Sequence, residues 1–460
     1  MTTRRHAGSG QRLLGAPWLA ALLALGAGGA RAASAQQLVA PGWTFIPSLT
    51  LSEDYDSNIA NSERDKRSDL ITRVTPGIGF TYGGPRFALL GNYLVSGEWY
   101  ADNSDLSNVG DRQSATLRAG YLPDPRTVLG LAVDFYLIPS TGDLFRPQTA
   151  PVPGGAPGEP NVPATVPAGG AAPGTTAPGP ATPGTAAPGA GPPTLPVGAP
   201  TPAGPGAPTA PGNLPPPAIP PSVSAASTGR RRTTVVTASP SVTHRLAPDL
   251  SALLGYTYTY SSVESGSTDM SHEATAGLAK DFTALDQGLI AYRFRLFETT
   301  DGGGTDHTTA HSVLLGYRRQ LGPTTAAAIQ VGPSFSEGTV EPDVDAYVTH
   351  GFRNGSVGLR FGRTQSIVVG RAGPQTVDRV VGFWGYQLPR GAALGISGGF
   401  TNIEDGTDRT YAVTASATYP LTAWARVGAS YTFSYEDAGT FTIDRHVVTV
   451  FLTFAYPVRR

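Results

Sequence analysis

The sequence predicts an all-β fold: a transmembrane, antiparallel, up-and-down β-barrel of about 18 strands, within a range of about 16 to 18. Three observations predict it. Segments of about 10 to 16 residues alternate apolar and polar side chains at every step, and most soluble strands are shorter. The connections between these segments alternate between short and long, and aromatic residues gather near the segment ends. Tilted strands of this length cross a bilayer, and closing them into a barrel satisfies their backbone in lipid.

The N-terminal segment, residues 1–35, is predicted to be a cleaved Sec signal peptide. Its basic start at Arg4 and Arg5 precedes an Ala- and Leu-rich apolar run over 13–29, and the tripeptide at 33–35, Ala-Ser-Ala, follows as a cleavage site. This order of basic, apolar and small residues is typical of secretory signals. No later segment reaches about 18 consecutive apolar residues, so the sequence predicts export without a transmembrane helix.

The first block of the mature chain, residues 36–146, is predicted to hold barrel strands 1–5. These strands lie near 42–55, 68–82, 86–101, 111–122 and 126–139. The connection after the first strand carries Asp54, Asp56 and Asn58 at alternate positions, and their oxygen atoms are of the type that binds calcium. Because no Gly and Glu follow to complete a calcium loop, an Asx-type turn is the preferred interpretation.

The central tract, residues 147–228, is predicted to be a disordered, Pro-rich extracellular loop. It consists almost wholly of Pro, Ala, Gly, Thr and Val. Proline removes backbone donors and glycine raises the entropy of the chain, so the tract favours a disordered, partly polyproline II conformation. Such a tract can act as a spacer, a glycosylated stalk or a lumen gate. An insertion that a loop tolerates without a dedicated role is the preferred interpretation.

The second block, residues 229–460, is predicted to hold barrel strands 6–18. Tyr292 and Phe294 share one face of a strand whose other face carries Arg293 and Arg295. The last strand resembles the C-terminal assembly signal of outer-membrane barrels, although residues 457–460 follow its final aromatic residue. The thirteen strands lie near 230–246, 249–263, 269–283, 287–299, 307–320, 324–336, 345–352, 355–368, 376–389, 391–403, 408–420, 423–436 and 442–456.

The lengths of the connections predict the orientation of the barrel. If the mature N-terminus lies in the periplasm, the long connections are outer loops and the short ones are periplasmic turns, and both chain ends are periplasmic. A soluble β-sandwich is the alternative fold, because its strands show the same alternation. Its apolar residues face an internal core and its polar residues face water. The predicted outer loops lie near 53–67, 101–110, 140–229, 262–268, 300–306, 337–344, 369–375, 404–408 and 437–441. The predicted turns lie near 83–85, 123–125, 247–248, 284–286, 321–323, 353–354, 390 and 421–422.

Composition argues against several classes of function. The formal net charge is -1 and the chain has no cysteine, so we expect no nucleic-acid binding, disulfide or thiolate metal site. The sequence holds no P-loop, no H-E-x-x-H motif and no G-x-S-x-G elbow between a strand and a helix. The segment 395–399, Gly-Ile-Ser-Gly-Gly, lies within a predicted strand. His307 and His311 are four residues apart, but on a Gly- and Thr-rich segment predicted as a loop entering a strand. We therefore expect no enzyme activity, no cofactor and no metal.

Two sets of side chains are candidates for functional positions. Polar and charged residues on the lumen face set the electrostatic selectivity of a pore, and aromatic residues near strand ends form girdles at the membrane interfaces. The adjacent cations Arg293 and Arg295 suggest a mild preference for anions. The candidate lumen residues are Arg73, Glu98, Asp134, Glu273, Lys280, Arg293, Arg295, Arg360 and Arg426. The candidate girdle residues are Trp43, Trp99, Tyr121, Tyr258, Tyr260, Tyr386, Tyr419, Tyr435 and Tyr456.

The chain resembles the β-barrel porin 2 family of Gram-negative outer-membrane proteins. The resemblance depends on the segment 55–59, Tyr-Asp-Ser-Asn-Ile, and on Ser-Asp-Leu at 68–70 leading into Arg-Val-Thr-Pro-Gly at 73–77. It covers the mature chain except the Pro-rich tract. It implies a porin-type barrel whose substrate is generally unassigned, and a role of some relatives in exopolysaccharide production.

The leading functional hypothesis is an outer-membrane porin that allows passive diffusion of small polar solutes. The alternatives are an accessory barrel for exopolysaccharide export or envelope assembly, and a surface structural or adhesion protein that displays the Pro-rich loop. The expected partners are outer-membrane lipid, lipopolysaccharide, the barrel-assembly machinery during biogenesis, and small polar solutes. The solute and the oligomeric state stay open.

Overall fold

The structure is a computed structural model of the chain. It describes residues 42–139, 222–223, 231–264, 266–301, 304–369, 374–403, 408–437, 439 and 442–459. The predicted signal peptide lies outside these residues, and so does the Pro-rich tract except for residues 222–223. Within the described ranges, no helix has both the length and the apolar character needed to span a bilayer.

Eighteen long strands make up nearly all of the described chain. They are β1 (Gly42–Asp56), β2 (Asp69–Gly83), β3 (Phe87–Tyr100), β4 (Asn108–Asp124), β5 (Thr127–Ile138), β6 (Thr233–Ala247), β7 (Leu250–Val263), β8 (Thr268–Asp281), β9 (Asp286–Asp301), β10 (Gly304–Gly322), β11 (Thr325–Ser336), β12 (Thr339–Phe352), β13 (Gly355–Val369), β14 (Pro374–Gln387), β15 (Ala393–Ile403), β16 (Arg409–Pro420), β17 (Ala425–Asp437) and β18 (Thr442–Ala455). The two-residue strands Ser222–Val223 and Val458–Arg459 and the 3-10 turns Ser104–Leu106 and Pro389–Gly391 complete the described elements.

The strands close into one antiparallel barrel. Each long strand pairs with its neighbours in sequence, and β1 also pairs with β18. Across this seam the hydroxyls of Thr50 and Thr453 share a hydrogen bond of 3.0 Å. We call the end of the barrel that carries the short turns its inner end, and the opposite end its outer end, after the predicted orientation. At the inner end the seam continues through Val458–Arg459, which pairs with Thr44 and Phe45 of β1. The predicted 18-strand, up-and-down barrel is therefore confirmed, and the sandwich alternative is wrong.

The barrel buries polar side chains and exposes apolar ones. Along β1, Leu49 and Leu51 are each 36% exposed, whereas Thr50 between them is 6% exposed and Asp54 is fully buried. Successive side chains of a strand point to opposite faces, so the apolar set faces outward and the polar set faces the lumen. A soluble protein with a core shows the reverse distribution.

Two predicted outer loops are much shorter than expected. The segment 337–344 is almost entirely strand, because Ser336 and Thr339 flank a two-residue turn with φ of 46° at Glu337 and 84° at Gly338. Positive φ at both central residues is the type I′ turn that joins tightly twisted strands. The segment 300–306 is also mainly strand, since Asp301 pairs with Gly304. The charged residues of these two segments therefore lie in strands, although a charged and polar composition is typical of a loop.

The outer end of β13 leaves the barrel wall. Pairing between β12 and β13 ends at Val344 and Arg363, whereas β13 and β14 stay paired as far as Ile367. Ile367 packs on Phe297 and Ala310 of β9 and β10, both of which share the lumen face with Arg295. Segment 364–369 of β13 is therefore folded into the lumen. Segment 374–379 of β14 stays paired with it and, from Val377 onward, also with β15. We call the two segments together the inner hairpin.

The inner hairpin contacts elements that are not its neighbours in the sheet. Strand β13 reaches β7 and β8 across the lumen. Ser222–Val223, from the Pro-rich tract, pairs in parallel with Val368 and Val369 of β13. Val368 also packs with Val377 and Ile403 in a small apolar cluster. The hairpin thus narrows the lumen at this level of the barrel.

Candidate functional site in the lumen

A cavity of about 360 Å³ lies beside the inner hairpin. This volume is near the lower end of the range for small-molecule sites, about 300–1,000 Å³. One wall carries hydroxyl groups on the inward faces of β6, β7 and β8: Thr237, Thr257, Thr259, Ser261 and Ser271. The other walls carry charged groups from β8, β9, β12, β13 and β14: Glu273, Arg293, Arg295, Asp343, Asp345, Arg360 and Arg379.

Asp343 is the centre of the charged network. It is 3% exposed. Arg295 Nη2 donates a hydrogen bond of 2.5 Å to its carboxylate, and Arg293 Nη1 donates one of 3.1 Å. The hydroxyl of Ser312 donates a third, at 3.2 Å. A buried carboxylate is stable only when charged or polar partners compensate its lost hydration, and these three donors supply that compensation.

Small side chains on the two intervening strands bring Asp343 within reach of the two arginines. Strands β9 and β12 are separated by β10 and β11, so their axes are about 14 Å apart at about 4.8 Å per strand. Ser312 of β10 pairs with Ser334 of β11 on the inward face between them. Two serines at these positions leave the space through which the guanidinium groups extend.

Glu273 holds the other side of the same guanidinium groups. It lies directly opposite Arg295 in the β8–β9 register, and Arg295 Nε donates to it at 3.0 Å. Arg293 Nε lies 3.6 Å from the same carboxylate. The two adjacent arginines are therefore each shared between Glu273 and Asp343, which fixes their orientation in the lumen.

A second ion pair and a further arginine complete the set of charged groups in the cavity. Arg360 of β13 donates from Nε and from Nη2 to Asp345 of β12, both at 2.8 Å. Arg379 of the inner hairpin adds a fourth guanidinium group. The lining residues therefore include four guanidinium and three carboxylate groups, which leaves the cavity weakly positive.

A separate network lies on the lumen face of β1 to β4. Arg73 pairs with Asp54 and donates from Nε to Glu98 at 2.7 Å. Arg112 donates to the same Glu98 oxygen at 2.6 Å, and the Tyr100 hydroxyl donates to its other oxygen at 3.2 Å. Both carboxylates are fully buried, so this part of the lumen wall is closely packed by its own ion pairs.

Two further arginines tie adjacent strands together inside the barrel. Arg118 of β4 donates to both carboxylate oxygens of Asp134 on β5, at 2.7 and 2.8 Å. Arg445 of β18 donates to Asp56 of β1 from Nη2 at 2.6 Å and from Nε at 3.0 Å. The second contact crosses the seam, so an ion pair stabilises barrel closure near the outer end.

The structure places most of the predicted lumen residues inside the barrel. Seven of them form the ion pairs described above: Arg73, Glu98, Asp134, Glu273, Arg293, Arg295 and Arg360. Arg426 is also inward, since it pairs with the inward Thr453. Lys280 lies on the other face, because Glu273 faces inward and an odd step separates the two residues. Lys280 lies near the inner end, 3.9 Å from Asp249.

The sequence prediction missed several residues of the lumen networks. Asp343 lies in the segment expected to be an outer loop, which is why it was not assigned to the lumen. Arg118 lies in a predicted strand, where alternation from the outward-facing Tyr121 would have indicated an inward position. The missed residues are Asp54, Asp56, Arg112, Arg118, Asp343, Asp345 and Arg445.

The predicted girdle residues divide between the two ends of the strands. Trp43, Tyr121, Tyr386, Tyr419 and Tyr456 lie toward the inner end. Trp99, Tyr258, Tyr260 and Tyr435 lie toward the outer end. Their role as interfacial girdles stays a prediction.

The first outer connection, 57–68, forms the expected Asx-type turn. The backbone N–H of Asn58 donates to Asp56 Oδ1 at 3.0 Å. Asn58 is fully buried, and its Nδ2 donates to the backbone oxygen of Ser62 at 2.9 Å. Within the described part of the chain, no group of three or more His, Cys, Asp and Glu side chains is arranged to hold a metal ion. His307 and His311 lie within β10, which begins three residues before the predicted strand 307–320.

No protein-family model matches the chain, and no curated protein matches it. The chain is similar to solved structures of low identity. OccAB4 of Acinetobacter baumannii has 10% identity and a TM-score of 0.39, over 91% of this chain and 98% of that chain. OpdQ of Pseudomonas aeruginosa has 9% identity and a TM-score of 0.40, over 90% and 99%. OpdO of Pseudomonas aeruginosa has 8% identity and a TM-score of 0.40, over 91% and 98%. Similarity at this level assigns no function to the chain, and the resemblance to the β-barrel porin 2 family stays a prediction.

Proposed function

We propose that the chain is an outer-membrane porin through which small polar solutes diffuse passively. The observation that carries the proposal is the reversed polarity of the closed barrel, with exposed apolar side chains outside and ion-paired arginines and carboxylates inside. Lipid around the wall and water in the lumen are the surroundings that stabilise this distribution. A barrel of 16 to 18 strands is wide enough for an aqueous channel.

The outer membrane is the proposed location. The predicted signal peptide directs the chain out of the cytoplasm, and barrels of this type belong to the outer membrane. The longest connections, 57–68, 101–107 and 139–232, all join the same ends of their strands. Outer-membrane barrels carry their long loops on the extracellular side and their short turns in the periplasm, so this arrangement supports the predicted orientation.

Solutes pass the cavity beside the inner hairpin, where the lumen is narrowed. The four guanidinium and three carboxylate groups there support a mild preference for anions. The preference is mild because Arg293 and Arg295 are already paired with Glu273 and Asp343. The hydroxyl-bearing wall offers hydrogen bonds to uncharged polar solutes as well.

Planar-bilayer recording of the purified full chain tests the proposal. We expect discrete conductance steps and, in a KCl gradient, a reversal potential displaced toward that of chloride. A barrel that inserts but stays silent would contradict the porin function and favour an accessory or surface structural role. A reversal potential displaced toward that of potassium would contradict the anion preference alone.

A further inference from the structure

Three clusters on the outer surface of the barrel share one geometry. Each pairs a histidine with two aromatic residues of the preceding strand, and we call them the histidine clusters. They consist of Tyr256, Tyr258 and His272; Tyr292, Phe294 and His311; and Tyr431, Phe433 and His446.

The distances within the histidine clusters are nearly identical. The tyrosine hydroxyl lies 2.7 Å from Nδ1 of His272, 2.6 Å from Nδ1 of His311 and 2.8 Å from Nδ1 of His446. The second aromatic ring lies directly opposite each histidine in the strand register. Its centroid is 5.2, 5.1 and 5.1 Å from the imidazole in the three clusters. The repetition argues for a common role.

The three clusters lie at the same level of the barrel. The aromatic residue opposite each histidine is eight residues beyond the first residue of its strand, in β7, β9 and β17 alike. At about 3.3 Å per residue and a tilt of about 40°, this level is about 20 Å above the inner strand ends. The apolar band of such a barrel is about 25 Å tall. The clusters therefore lie near the outer boundary of that band.

The residues above and below the clusters mark the same boundary. On the outward face of β9, Ile290 lies below the cluster, and Glu298 and Thr300 lie above it. On β17, Val427 lies below and Asp437 lies above. The next outward residues above the clusters are Leu296 and Tyr435, and beyond them the outward faces of both strands become polar. The region of the lipid head groups therefore begins one outward residue above the clusters.

The chemistry of each cluster leaves one hydrogen-bond donor for a ligand. When the tyrosine hydroxyl donates to Nδ1, the imidazole carries its proton on Nε2. None of the three Nε2 atoms makes a hydrogen bond to a described residue. The two flanking rings limit rotation of the imidazole, so the donor is held in place before a ligand arrives.

We propose that the histidine clusters bind the phosphate groups of phosphorylated glycolipid in the outer leaflet. Phosphate oxygens are the strongest acceptors at this depth of a membrane, and a charged acceptor strengthens the bond from Nε2. Two of the acidic residues above the clusters have basic partners: Glu298 is 3.8 Å from His307, and Asp444 pairs with Lys66. Asp437 instead accepts a hydrogen bond from the backbone N–H of Gly439. The assignment to the outer leaflet rests on the proposed orientation of the porin.

Native mass spectrometry of the purified full chain in detergent, with bisphosphorylated lipid A as the probe, tests the proposal. We expect up to three lipid molecules bound to the native chain. In the triple variant His272→Phe, His311→Phe, His446→Phe we expect binding at least about tenfold weaker, because every cluster loses a hydrogen bond to a charged phosphate. Phenylalanine keeps a ring at each position and so preserves the packing.

A matched control uses the two histidines at the inner end of the outward face. His244 and His350 contact the hydroxyls of Thr127 and Thr325, and the variant His244→Phe, His350→Phe should bind lipid A as the native chain does. The triple variant Tyr256→Phe, Tyr292→Phe, Tyr431→Phe keeps the imidazoles but frees their Nδ1 atoms, and we expect binding several-fold weaker.

Three results would overturn the proposal: undiminished binding in the histidine triple variant, equal loss in the inner control, or equal binding of lipid A lacking its phosphates. Equal affinity for phosphatidylglycerol would overturn the assignment to glycolipid. A heat-modifiable band on gels confirms that each variant is folded. Conductance separates this proposal from the porin function, because the histidine variant should conduct normally even when it no longer binds the lipid.

Discussion

Asp343→Asn tests the interpretation that one buried carboxylate organises the charged wall of the lumen. The native side chain accepts hydrogen bonds from Arg293, Arg295 and Ser312 and is 3% exposed. Asparagine has nearly the same shape but no charge and only one accepting oxygen. The three donors all contact Oδ2, so an asparagine oxygen at that position keeps these hydrogen bonds. The amide nitrogen then replaces Oδ1 beside Arg293, and the cavity loses one of its three carboxylates.

The expected cost follows from the burial of the site. Removing one partner of a buried ion pair costs about 3–5 kcal/mol, and a hydrogen bond to a charged group is worth about 1.5–3 kcal/mol. Because asparagine keeps part of the hydrogen bonding, we expect the free energy of unfolding to fall by about 3 kcal/mol. The matched control is Asp345→Asn, two residues further along the same strand face. Its carboxylate is 31% exposed and pairs with Arg360, so about 1 kcal/mol is expected.

Denaturant unfolding of the two variants in detergent or lipid vesicles measures this difference. Bilayer recording should show, for Asp343→Asn, a reversal potential displaced further toward that of chloride, because the excess of guanidinium over carboxylate groups doubles. The reasoning would be refuted if Asp343→Asn were no more destabilising than Asp345→Asn. An unchanged reversal potential would show that solutes do not pass this wall.

The remaining predictions concern the turn at Gly338 and the inner hairpin. Gly338→Ala should lower the free energy of unfolding by about 1 kcal/mol. The cost comes only from the left-handed backbone, because φ is 84° and no neighbouring atom would contact the added Cβ. An unfolding free energy equal to that of the native chain in denaturant would contradict this. Ile367→Asp places a charge against Phe297 and Ala310 and should release the inner hairpin, with larger single-channel conductance. Ile367→Leu is the control, and an unchanged conductance for the aspartate variant would show that the hairpin does not narrow the pore.

The alternation of apolar and polar residues, together with the up-and-down order of the strands, was enough to predict their number and their sequence in the barrel. Each strand is long enough for the period of two to be unmistakable, as in β9, where Tyr292 and Phe294 face outward while Arg293 and Arg295 face the lumen. The up-and-down order leaves no choice of partner once the strands are placed. The confirmed barrel follows from these two properties.

The fine structure of the candidate site depends on contacts that a period of two does not encode. Asp343 belongs to a strand that continues beyond the apolar band, where charged residues give the same composition as a loop. Ile367 has the position of an outward residue in the alternation, yet it contacts the lumen face, because β13 separates from β12 after Arg363. Counting along the strand from the inward-facing Glu273 would have placed Lys280 on the outward face, because an odd number of steps separates the two residues.

The seam between the first and the last strand has a consequence for the rate at which the barrel forms. Thr50 and Thr453, which share a hydrogen bond there, are 403 residues apart in the chain. Contacts of such large separation form late and slowly, because the entropy of closing the loop is lost before they form. Val458–Arg459 also pairs with the first strand, so the seam is complete only once this segment has paired as well. Until then two strand edges stay open, and these edges are where the unfinished chain is most prone to aggregate.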